Sequence, residues 1–222
     1  MRIRGNPLFK PRVADPRVDA TRLAESLHIT GEERRMFIAR FVRGETAKQA
    51  LAPWNPPAGC FGFTKGQFSL VDLIEAILDK IGPARLDVST WTAAVADVRQ
   101  LDALLRSGRI TGLRLLVDGS FAQRQPLILQ TAIERFGQPS LRVCNNHAKY
   151  FLLTNEQAGV VCKTSMNLNF NPRFENFDLS CDPDLHAFLL RVMDDLWGQA
   201  GPLTKHGGME RFKTDLEATV EN

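Results

Sequence analysis

Between residues 138 and 177 the chain carries four groups whose types and spacing suit phosphoryl transfer. His147 and Lys149 stand two apart, Ser165 and Asn167 stand two apart, and Asn171 precedes Glu175 by four. A neutral imidazole can attack phosphorus, an ammonium supplies a fixed positive charge, and a hydroxyl and an amide can donate to non-bridging oxygens. The surrounding sequence predicts how these groups meet. LRVCNNHAKYFLL reads as one buried strand and AGVVCKTS as a second, joined through the turn Asn155-Glu156-Gln157. Residues two apart on a strand share a face, so His147 is expected to project with Lys149, and Ser165 with Asn167.

Taken singly, each residue has a plain structural reading: a satisfied strand histidine, a solvated lysine, turn residues before Pro172. Their order is more specific. His147-Ala148-Lys149, then Ser165-Met166-Asn167, then Asn171 and Glu175, resembles the HxK…SxN…E pattern of the phospholipase D superfamily. The resemblance is sharp across the motif and diffuse over residues 57–197. It implies that His147 attacks phosphorus to form a phosphohistidine, and that Lys149, Ser165 and Asn167 hold the non-bridging oxygens. It further implies that Glu175 accepts from the second ring nitrogen and that no metal or other cofactor is used. Two departures stand out. The family's aspartate, five residues beyond the lysine, is Thr154 here, and the hairpin between Thr154 and Ser165 is longer than in the compact nuclease members.

The reaction needs a nucleophile and an acid for the leaving oxygen. The family obtains both from two HxK motifs related by a pseudo-two-fold. This sequence has one, since His28, His186 and His206 have no lysine two residues on. The resemblance therefore implies a homodimer in which His147 of each subunit reaches a shared site.

Three further places draw weaker expectations of substrate binding. Thr90-Trp91 and Asp118 lie at the carboxyl ends of predicted strands, where open α/β sheets hold ligands. Lys65, in Thr64-Lys65-Gly66, precedes a helix N-terminus that could hold a phosphate.

The elements that must position these residues follow from periodicity. Residues 1–16 read as a basic flexible arm, with Arg2, Arg4, Lys10 and Arg12 among Pro and Gly, and residues 17–56 as a helical appendage suited to packing or dimerisation. Residues 57–200 read as the phospholipase D-like α/β domain, and 201–222 as a loosely ordered tail. Within the domain, CFGFTKGQF suggests a short strand, and Ser69 is a predicted N-cap for SLVDLIEAILDKI. RLDVSTW reads as a strand, AAVADVRQLDALLRSG as a helix closed by Gly108, and GLRLLVDGS as a central strand buried on both faces. QPLILQTAIERFG is a helix ending at Gly137, and DPDLHAFLLRVMDDLW is the last. The fold class expected is α/β: a mixed, largely parallel sheet flanked by helices on both faces, with an N-terminal helical appendage.

Composition bounds the rest. The 222 residues, 44% hydrophobic, suffice for one good core. No apolar run approaches the ~20 residues that cross a bilayer, and no stable membrane association is expected. The basic N-terminus has no apolar segment after it, so no secretory signal is read and the expected location is cytoplasmic. The four cysteines (Cys60, Cys144, Cys162, Cys181) form no CxxC and are expected as buried free thiols, with no metal site. A net charge of +3 leaves nucleic-acid binding to a local patch. The function expected is a metal-independent phosphodiesterase, a nuclease with DNA favoured. The alternatives are an inactive module that binds nucleic acid or serves in assembly, and a phospholipid phosphodiesterase.

Overall fold

The computed structural model describes residues 45–200. The expected basic arm, the tail and most of the helical appendage lie outside the described residues. The first described element is a single helical turn, α1 (Ala47–Ala50), N-capped by Thr46. It is followed by β1 (Cys60–Thr64), α2 (Leu70–Ile81), β2 (Ala84–Thr90), α3 (Val95–Arg106), β3 (Ile110–Asp118), α4 (Gly119–Arg124) and α5 (Pro126–Phe136). The described residues continue with β4 (Leu141–Cys144), β5 (Tyr150–Thr154), β6 (Gly159–Thr164), β7 (Glu175–Ser180) and α6 (Pro183–Gln199).

Local chemistry sets several of these boundaries. The Ser69 side chain accepts from Asp72 N, and the Asp72 carboxylate accepts from Ser69 N, a reciprocal cap that starts α2. Gly137 follows α5 at a φ of 77°, a conformation that disfavours residues with a Cβ. In β3 and β5 the apolar runs are continuous because both faces of the sheet are covered. Leu113, Leu115 and Val117 join Phe151 and Leu153 on one side, beneath α2, α3 and α5. Leu116 and the alternate residues Tyr150 and Leu152 pack against Met193 of α6 on the other. Each such fully buried leucine or phenylalanine contributes about 1.5–3 kcal/mol.

The seven described strands form one sheet in the order β1-β7-β6-β5-β2-β3-β4. It is mixed and flanked by helices on both faces, as the sequence predicts, but parallel pairing is confined to β2–β3 and β3–β4. The other four pairings are antiparallel, so the expectation of a largely parallel sheet is corrected. The reason is that the β5–β6 hairpin does not close an edge. It sits mid-sheet beside β2 and is extended by β7 and β1.

LRVCNNHAKYFLL is likewise not one strand. β4 pairs with β3 at one edge, whereas β5 pairs with the opposite side of β2. The chain must therefore pass over the ends of β3 and β2, and residues 145–149 make that crossing without regular structure. Three strand spacings come to about 14 Å, within the roughly 17 Å that five residues can span.

Candidate active site

This topology delivers every candidate residue to one rim of the sheet. β1, β2, β3, β4 and β6 end there, while β5 and β7 begin there. Lys65 follows β1, Thr90 and Trp91 close and follow β2, and Asp118 closes β3. His147 and Lys149 lie in the crossing, Ser165 and Asn167 follow β6, and Asn171 leads into Glu175 at the start of β7. β2 is the switch point, with a parallel neighbour on one side and an antiparallel one on the other.

The crossing is pinned by Asn146, which the sequence reading missed. Its backbone N–H donates to Asp118 Oδ2 (3.0 Å), and its side-chain amide donates to Ser89 Oγ (2.9 Å) and Thr90 O (3.3 Å). Its Oδ1 accepts from Ala148 N (3.0 Å), while Ser89 Oγ donates to Ala148 O (2.9 Å). The backbone on both sides of His147 is thus fixed, and the imidazole itself is exposed at the rim. Lys149 Nζ lies 3.5 Å from His147 Nδ1 and donates to His147 O at 3.1 Å. Thr164 N donates to Lys149 O (3.1 Å), which carries the β5–β6 ladder one residue further and sets Thr164 opposite Lys149.

Ser165, Asn171 and Glu175 form a second cluster. Ser165 Oγ donates to Glu175 Oε2 and accepts from Asn176 N at 2.9 Å, and Asn171 Nδ2 donates to Glu175 Oε1 at 2.9 Å. The carboxylate sits at the first residue of β7, where Ser165 and Asn171 each donate to one of its oxygens. The Ser165 proton is committed to that carboxylate and must rotate away to reach a phosphate oxygen. Asn167 Oδ1 accepts from Trp91 N (3.2 Å), which leaves its amide donors for a ligand.

The weaker candidates separate. Thr90 is fully buried and its hydroxyl donates to Thr92 O (2.9 Å), so it supports the loop. Asp118 accepts from Ser120 N (2.9 Å) and Asn146 N, so it caps α4 and holds the crossing. The N-terminus of α2 is satisfied by Ser69 and Asp72, which leaves Lys65 as an exposed cation on a turn. Trp91 faces the site, with ring centroids 5.7 Å from His147. Above Trp91 lies Arg124, its guanidinium carbon 3.9 Å from the ring centroid. Arg124 was not singled out in the sequence; its only signal was its position shortly after a strand's carboxyl end.

All four cysteines are free. Burial, then the Asp118 charge, pushes the Cys144 thiol up to about 11, so it is no nucleophile at neutral pH. Among the described residues no group of three His, Cys, Asp or Glu side chains is placed to hold a metal ion. A cavity of about 330 Å³ lined by Thr154, Gly159, Cys181 and His186 lies at the opposite rim, away from these groups. No described helix is long and apolar enough to cross a membrane.

Fold and motif together define an α/β protein with an HxK-bearing rim, similar to the phospholipase D superfamily. Among solved structures, the phospholipase D family member Nuc from Salmonella typhimurium matches at 16% identity, over 67% of this chain and 99% of that one, with a TM-score of 0.47. NucT from Helicobacter pylori matches at 10% identity over 65% of this chain and 99% of its own, with a TM-score of 0.48. Phosphatidylserine synthase from Haemophilus influenzae matches at 16% identity over 73% and 46%, with a TM-score of 0.44. At these identities the likeness extends to fold alone. No protein-family model and no curated protein matches the chain.

Proposed function

We propose that this chain is a metal-independent phosphodiesterase that cleaves nucleic acid, DNA in preference, through a phosphohistidine on His147. The observation that supports the reading is the pinned crossing, which fixes the backbone around His147 and sets its exposed ring beside Lys149, on the rim where Ser165 and Asn167 follow β6. A ring nitrogen of His147 attacks phosphorus, the P–N bond forms, and the P–O bond to the leaving group breaks. Lys149 and the Asn167 amide neutralise charge on the non-bridging oxygens. The sequence holds one HxK, so the proton for the leaving oxygen comes from the protonated His147 of a second copy. Water then attacks the phosphohistidine, giving its proton to that second imidazole and restoring both rings.

A second reading, an inactive nucleic-acid-binding module, draws support from Glu175, whose two oxygens are engaged by Ser165 and Asn171. Labelled single- and double-stranded DNA incubated with excess EDTA separates the two. Wild type is expected to cleave, with a phosphohistidine trapped on acid-free quenching, and His147→Ala to lose about 10³-fold or more. Cleavage by both proteins would remove His147 from the mechanism; binding without cleavage by either would favour the inactive module. A monomer by light scattering at working concentration would overturn the two-copy site.

A further inference from the structure

β1 is the outermost strand beside β7, and its described edge carries phenylalanines where a soluble edge carries charge. Phe61 and Phe63 are 49% and 55% exposed, and Phe170 and Phe174, in the loop before β7, are 61% and 68% exposed. They are ordered against one another: Phe63 stacks on Phe174 with centroids 4.7 Å apart at 19°, and Phe61 meets Phe63 edge-on at 5.1 Å. The turn that bears Lys65 abuts the same loop, because Gly66 packs so tightly that an added Cβ would lie 2.9 Å from Pro172 Cα. Lys65 and Arg173 are both exposed there. Asp178, opposite Phe61, is paired with Lys163 at 3.2 Å.

The loop interleaves these rings with the site: Phe170 precedes Asn171, and Phe174 precedes Glu175. We infer that Phe63, Phe170 and Phe174 form a stacking platform for unpaired bases, flanked by Lys65 and Arg173 as phosphate contacts, which feeds single-stranded nucleic acid to the His147 rim. Open ring faces beside isolated cations fit a strand whose bases are free to stack; a duplex, whose bases already stack on each other, offers only phosphates. The inference rests on the nuclease reading for its direction, since it takes the rim to be where the strand is cut.

The test uses the His147→Ala protein, so that nothing is cleaved, and fluorescence anisotropy. Three probes are compared: a short oligothymidylate, an abasic strand with the same number of phosphates, and a duplex. The base-bearing strand is expected to bind roughly tenfold or more tighter than the abasic one. Phe63→Ala and Phe174→Ala are each expected to narrow that gap severalfold without weakening the abasic strand. Phe174→Leu, which keeps apolar bulk, is expected to narrow it less. Equal binding of base-bearing and abasic strands would overturn the platform. So would a phenylalanine variant that changes mass in sedimentation, which would make this surface a contact with a second copy, or one that loses binding to anionic vesicles alone. Base-dependent binding without cleavage by wild type would retain the platform and remove the nuclease; cleavage without base dependence would do the reverse.

Discussion

Thr154 and His186 share a hydrogen bond of 2.9 Å between Oγ1 and Nε2, which ties the last residue of β5 to the first turn of α6. The buried ring lies over Gly159, where an added Cβ would approach it to 3.0 Å. Desolvation holds the His186 pKa below its ordinary value, against the weaker opposite pull of Asp87. Position 154 is where the family resemblance calls for aspartate, and a neutral hydroxyl there lets the imidazole stay uncharged.

A depressed folded-state pKa means that the unfolded chain takes up the proton first. Stability owed to neutral His186 is present above about pH 6.5 and is lost as the pH falls from there toward the folded pKa. Relative to wild type, His186→Gln should flatten the fall in urea midpoint between neutral pH and about pH 5. Thr154→Asp, which sets a carboxylate beside the ring and favours imidazolium, should flatten or reverse it. Parallel pH profiles for wild type and Thr154→Asp would contradict this account.

Asp97 acts in the other direction. Burial, then the Asp72 charge, raises its pKa to about 6, so its native form prefers the proton below that pH and carries an unfavourable charge above it. Asp97→Asn should raise stability near pH 7.5 by on the order of 1–2 kcal/mol. The gain should shrink to near zero by about pH 4. Denaturant midpoints at the two pH values check it, and a gain independent of pH would contradict the cause given.

Arg114 lies between a buried and an exposed carboxylate. Asp87 is fully buried and accepts from Arg114 Nε and, at 3.0 Å, from Arg85 NH2, while Asp194 is 55% exposed. Arg114→Met leaves Asp87 with only the half-exposed Arg85 and should cost about 3 kcal/mol. Asp194→Asn should cost less than about 1 kcal/mol. Similar losses from the two variants, by chemical denaturation, would show that burial does not decide the matter.

Ser165 connects β6 to β7 and meets the Glu175 carboxylate. Ser165→Ala strands the Asn176 N–H and should cost about 1–2 kcal/mol. In the EDTA cleavage assay it should lower kcat by about 10²-fold. Ser165→Thr keeps the hydroxyl and should recover most of the stability. A kcat loss no larger than the stability loss explains would reduce Ser165 to a structural role.

Much of this arrangement was legible in the sequence where local chemistry decides it. Ser69 and Asp72 announce the start of α2, Gly108 and Gly137 sit at helix ends, and Asn155 marks the hairpin, where its Oδ1 accepts from Gln157 N and Ala158 N. What was not legible depends on partners distant in sequence. The break at Asn145–Lys149 arises because β4 and β5 lie on opposite sides of β2 and β3, which no local pattern in LRVCNNHAKYFLL records. No strand was expected over β7, although Phe177 and Leu179 alternate with Asn176 and Asp178 and are the buried pair. The role of Asn146 could not be read at all, because its partners Ser89 and Thr90 lie on another strand.

The pairing of β1 with β7 also sets an order for folding. The first strand of the sheet has its only described neighbour in the last, and β2 must wait for β5 on one side, so two of the longest loop closures precede a complete sheet. Until β7 emerges from the ribosome, β1 is an unpaired ribbon bearing Phe61 and Phe63, ready to join another chain. Truncation before Glu175 should therefore yield aggregate rather than a smaller folded unit. Chaperone demand during synthesis falls on that interval.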